Sequence, residues 1–138
     1  MKEKILIYTV ISFVLLNVWT LYLFFDYYTE KDGIIKGLGL FLNFVYTAVA
    51  AVILGGLLLA IRLIFHYMKK ANPLRTNFFY ILCALFNLNI FIIWAVSLSL
   101  NILELGSGRL QICAIASLLL SIVILLDIYK SGYSQKNN

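Results

Sequence analysis

Four long apolar stretches occupy almost the whole chain and leave no length over for a soluble domain. They run from Ile5 to Phe25, Leu38 to Phe65, Phe78 to Leu103, and Leu110 to Leu126 with a continuation to Tyr129. An α-helix needs about 20 apolar residues to cross ~30 Å of hydrocarbon, and each stretch is close to that length or above it. All four are apolar around their full circumference, as helices solvated by lipid are. The expected fold is therefore all-α: an integral membrane four-helix bundle over residues 1–130, followed by a short polar tail over 131–138. The N-terminal run, about 21 residues, exceeds the 7–15 of a cleaved signal peptide, so the first span is expected to be retained.

Charge is scarce and confined to the ends of the spans. Charged residues make up 12% of 138 positions, against about a quarter in a soluble domain. The net charge of +5 does not point to nucleic acid, because nothing forms a basic stripe interleaved with aromatics. Instead the basic residues report topology. Lys2, Lys4, Arg62, Lys69, Lys70, Arg75, Lys130 and Lys136 fall on one side of four crossings, and Lys31, Lys36 and Arg109 on the other. Cationic loops stay cytoplasmic, so both termini are expected inside. Asp32-Gly33, Asn72-Pro73 and Gly106-Ser107-Gly108 mark the turns. Tyr8, Trp19, Tyr22, Tyr27, Tyr28, Tyr67, Tyr80 and Tyr129 lie towards span ends, as an aromatic belt would place them. Cys83 and Cys113 are expected near opposite leaflets, too far apart for a disulfide.

Two patterns within the spans bear on packing. In the second span Thr47, Ala51 and Gly55 recur every four residues, and so do Gly56 and Ala60. Small residues at this spacing let helix backbones approach closely, either within the bundle or across a dimer face. In the third span Cys83, Asn87, Ile90, Trp94, Ser97 and Asn101 share one face. Their amide and hydroxyl groups are costly against lipid tails, so this face should turn inward. On that reading Asn87→Leu weakens the bundle, whereas Ile93→Leu, on another face, is close to neutral. Asn17, Asn43, Ser117 and Ser121 would supply matching polar groups from the other three spans. Together they either glue the helices to one another or line a polar path.

Asp127 is an acid embedded near a span end, at about the depth of Arg62 in the second span. A charge there normally pairs or snorkels, so an Arg62–Asp127 ion pair is expected. His66 is the single histidine. It has no Cys or carboxylate partners at metal-ligand spacing, and no cofactor signature is legible.

Three functions are compatible with these residues. The first is a non-catalytic accessory, immunity or assembly module that binds another membrane protein. The second is a small channel or transporter acting as a homo-oligomer, with the third-span stripe along its path. The third is a lipid-modifying enzyme using His66, Arg62 and Asp127, for which nucleophile, base and oxyanion donor cannot all be assigned. The expected partners are membrane lipid and another membrane protein or a second copy, with no nucleic acid. The Lys-, Asn- and Ile-rich composition suggests a bacterial plasma membrane.

Overall fold

Hydrocarbon offers no water to backbone N–H and C=O groups, so a single crossing segment must close its hydrogen bonds internally, as a helix does. The computed structural model describes residues 2–30, 37–68, 77–101 and 108–134, and these are helical along all four apolar stretches. Helix α1 is Lys2–Thr29, α2 Leu38–Tyr67, α3 Phe78–Ser99 and α4 Gly108–Ser134. Each is long and apolar enough to cross a membrane. The chain is a multi-pass membrane protein of the all-α class.

Side-chain hydroxyls follow the same logic as the backbone. Thr9, Thr20, Thr29, Thr47 and Ser99 each donate to the carbonyl four residues earlier, at 2.6–2.9 Å. This satisfies the hydroxyl proton within its own helix.

The helix ends differ in places from the apolar stretches. Asn77 begins α3, its side chain accepting the Phe79 N–H at 2.9 Å as an N-cap. Gly37 precedes α2 in the left-handed region, at φ 85°, and its N–H donates to the Glu30 carboxylate at 3.0 Å. Helix α3 stops at Ser99, short of Leu103, because Asn101 turns into the left-handed region at φ 50°. Asparagine tolerates that conformation better than most residues. Asn101 therefore leaves the α3 face on which it was expected. At the other extreme, α4 runs on to Ser134, four residues into the expected polar tail. The turn signals Asp32-Gly33, Asn72-Pro73 and Gly106-Ser107 lie outside the described residues.

Helix α3 is the hub, packing against all three others, while α4 packs on α3 and α2. Helix α1 leans mainly on α3 and only lightly on α2. The order around the bundle is thus α1, α3, α4, α2, with α2 and α3 meeting across the short diagonal. Tyr8 meets Phe78 edge to face, with centroids 5.6 Å apart, so α1 and α3 start at the same end. Arg62 meets Asp127 there too, where α2 and α4 finish.

Two apolar clusters fill the interior. Leu23, Leu40, Phe44, Ala48, Ala51, Ile90 and Ile93 form one. Tyr80, Ile81, Ala84, Ile124 and Ile128 form the other, towards the Arg62 end.

Candidate functional site

The polar centre of the bundle is built on α3, with Asn87 between the two apolar clusters. Tyr80, Cys83, Asn87, Ile90 and Ser97 are buried and Trp94 is half-buried, spaced alternately three and four residues apart. Asn87 Nδ2 donates to the Ala51 carbonyl of α2 at 3.0 Å and to the Cys83 carbonyl of its own helix at 3.0 Å. The first bond ties the diagonal helices together, and it needs their backbones close. Gly55 provides the room: a Cβ there would lie 3.1 Å from Asn87 Nδ2 and 3.2 Å from Leu120 Cδ1. Ala51 and Gly55 are buried and Thr47 is half-buried, so this series faces inward. Gly56 and Ala60 are exposed, and nothing lies within 4 Å of a Cβ built at Gly56. That pair sits on the opposite side of α2 from Ala51, turned away from the helices that Ala51 and Gly55 face.

The other expected polar residues divide sharply. Ser97, Ser117 and Ser121 are fully buried, and so is Ser12 on α1. Their hydroxyls, together with Asn87 Oδ1, have no hydrogen-bond partner among the described residues. Asn17 and Asn43 are exposed, contrary to the expectation that they join this interior. The reason is rotational. Helix α1 turns Ser12, Leu16, Thr20 and Leu23 inward, and Asn17 lies about a third of a turn away at 100° per residue. Likewise α2 buries Leu40, Phe44, Ala48, Ala51 and Gly55, leaving Asn43 to one side.

Ile93 also departs from expectation, since it is 2% exposed and belongs to an apolar cluster. A hub helix is covered on several faces, so leaving the polar stripe does not mean reaching lipid. The neutral reference for Asn87 is accordingly Ile92, which is exposed. Asn87→Leu is expected to lower stability by about 2 kcal/mol, since a buried hydrogen bond is lost and a branched side chain must fit beside Gly55. Ile92→Leu should lie within about 0.5 kcal/mol of the wild type. Equal unfolding midpoints for the two variants in mixed micelles would rule out the Asn87 contact.

At the α2 and α4 C-terminal end the structure brings Arg62 and Asp127 together. Arg62 Nε donates to Oδ2 at 2.9 Å and an η-nitrogen donates to Oδ1 at 2.8 Å, a two-pronged fork. Such parallel charge-assisted bonds fix geometry as well as adding energy. The side chains are 16% and 17% exposed. Tyr80 joins them, its hydroxyl donating to Asp127 Oδ2 at 3.1 Å. Tyr80 is completely buried, so it is an interior tyrosine and not the belt residue its place near a span end suggested. This constellation can lock three helices, because each of its groups is already engaged by another. His66, a turn beyond Arg62, is exposed. Among the described residues no three His, Cys, Asp or Glu side chains gather as a metal site.

The chain matches no family model, no curated protein and no solved structure.

Four interior polar residues were not singled out from the sequence. Tyr80 was misplaced, although it lies three residues before Cys83 and continues the α3 stripe by one step. Ser12 and Thr20 fall with Leu16 and Leu23 at helical spacing, a signal weaker than an asparagine's but correctly phased. Asn89 exchanges hydrogen bonds with Thr20 across the α1–α3 contact, at 2.9 and 3.2 Å. Its partner lies on a different helix, which no spacing within α3 reveals.

Proposed function

We propose that this chain is a non-catalytic membrane module, an accessory, immunity or assembly protein that binds another membrane protein through its sides. One observation carries this reading: Asn87, Ser97, Ser117 and Ser121 are enclosed within a single copy. Side chains held between packed helices stabilise a scaffold, and they are not presented to a substrate from outside. The surface left for interaction is apolar, for example Ile112, Ile115, Leu119 and Leu126 on α4. On this reading the module resides in a plasma membrane, bacterial by composition, with both termini in the cytoplasm.

A specific observation favours a second reading, that of a small oligomeric channel or transporter. Among the described residues five buried oxygens, on Ser12, Asn87, Ser97, Ser117 and Ser121, lack partners, and polar groups of this kind can mark a pathway.

Reconstitution separates the two. The module reading expects vesicles containing the protein to be as tight to small ions and neutral solutes as empty ones. It also expects fixed-stoichiometry recovery with one membrane protein, lost when Ile115 and Leu119 are changed to Trp. Solute flux that scales with protein content and falls in Ser117→Val would replace it with the channel reading. A cytoplasm-active reporter fused after Asn138 should give signal, and a signal from a periplasm-active one would invert the topology.

A further inference from the structure

We propose that α1 is the pairing helix of a two-fold homodimer, with Asn17 of each copy hydrogen-bonded to Asn17 of the other at mid-membrane. Asn17 lies just past the middle of α1, Lys2–Thr29. The Thr20–Asn89 bond ties that level to the middle of α3, so Asn17 sits deep in the hydrocarbon. There it is exposed on the outside of the bundle. Its Nδ2 donates to the Phe13 carbonyl at 2.8 Å, but its amide oxygen accepts nothing among the described residues.

A threonine in the same place satisfies its proton on the preceding turn, as Thr9 and Thr20 do. An asparagine cannot satisfy itself so completely. Its oxygen needs a donor, the backbone N–H groups of a helix interior are already used, and lipid tails have none. A polar group so placed is expensive and faces another protein as a rule.

The surroundings fit a helix seam. Val10, Phe13, Asn17, Leu21, Phe24 and Tyr28 follow one another at three- and four-residue steps along one flank of α1, all exposed except Phe24, which is half-buried. This helix also has the least of its span covered within one copy.

A second copy is the occupant that this chemistry favours. An isologous interface sets a residue against its own counterpart, across the two-fold axis. A carboxamide is both donor and acceptor, so two Asn17 side chains can each give an N–H and receive one. A different partner would need a matching polar group at the same depth. The pairing does not depend on the module reading above, since a channel could assemble through the same seam.

The test is energy transfer between full-length copies labelled after Asn138 with donor or acceptor, in phosphatidylethanolamine–phosphatidylglycerol vesicles diluted stepwise with lipid. Wild-type transfer should follow the acceptor fraction linearly, as a dimer requires, and decline on dilution along a single binding curve. Asn17→Leu should weaken pairing about tenfold, the scale of an interhelical amide contact. Asn17→Gln should retain it, and Asn43→Leu, at an exposed asparagine of α2, should leave it unchanged. The unfolding midpoint of dilute Asn17→Leu should match the wild type, because the side chain of Asn17 is exposed and bonds only to its own helix among the described residues. Pairing of Asn17→Leu as tight as wild type overturns the proposal, as does wild-type transfer no greater than random mixing. An Asn17→Leu monomer destabilised relative to wild type, or a foreign membrane protein held through Asn17 in place of a second copy, also overturns it.

Discussion

Arg62→Gln and Asp127→Asn are each expected to lower stability by about 2–3 kcal/mol, and the double variant to recover part of the loss. The geometry accounts for both directions. The fork between Arg62 and Asp127 satisfies two oxygens of one carboxylate with two N–H groups, at 2.9 and 2.8 Å. Breaking a buried pair by removing one partner costs about 3–5 kcal/mol, because the remaining charge is left without compensation. Some solvent access at this end of the bundle keeps the expected loss at or below the low end of that range. When both charges are removed, no bare ion remains, and neutral amides can still bond weakly. The departure from additivity should therefore be about 1–2 kcal/mol. Mixed-micelle unfolding of the four proteins measures it, and strict additivity would mean that the two side chains are separately solvated. Tyr80→Phe removes a single donor to Asp127 and should cost less, about 1 kcal/mol.

A larger effect is expected at Gly55, where Gly55→Leu should cost about 3 kcal/mol or prevent assembly of the bundle. Even a Cβ would come within 3.1 Å of Asn87 Nδ2 and 3.2 Å of Leu120 Cδ1. Leu120 can swing its terminal methyl aside. Asn87 cannot move without giving up its bonds to the Ala51 and Cys83 carbonyls. Overpacking of this kind forces backbone shifts that cost about 1–3 kcal/mol, and the lost hydrogen bond adds to them. The adjacent residue gives the control: Gly56→Leu should be neutral or slightly stabilising, since nothing lies within 4 Å of its built Cβ. Comparable losses at both positions would show that α2 does not use Gly55 for close approach.

The two positions mark how far pattern reading reaches. Thr47, Ala51 and Gly55, and also Gly56 and Ala60, have the same four-residue spacing, and spacing cannot say which series faces a neighbour. Amphipathicity resolves such choices in a soluble helix, but here lipid and core are both apolar and the outward face carries no polar mark. The same degeneracy applies to Asn17 and Asn43. The cost of an amide in lipid points each to the interior, yet rotation about the helix axis places both outside. On α3 the polar residues were dense enough to set the phase, and Asn87 and Ser97 are where the stripe predicted. Ile93 shows the limit even there, because a helix with three neighbours has more than one buried face.

Composition and length alone determine that the chain crosses a membrane four times as helices. Hydrocarbon admits no unpaired backbone, and no other arrangement of four apolar stretches this long satisfies it. The proximity of Arg62 to Asp127 was likewise within reach, because a span counted from its ends gives depth, and two opposite charges at one depth attract. What only the tertiary structure decided is which helices are neighbours and how each is rotated. It made α3 the hub, joined Thr20 to Asn89, placed Tyr80 beneath Asp127 and turned Asn17 outward. These depend on close packing between backbones, a sum of many small contacts among side chains of nearly equal hydrophobicity. No single residue encodes that sum, so it becomes visible only when all four helices are in place.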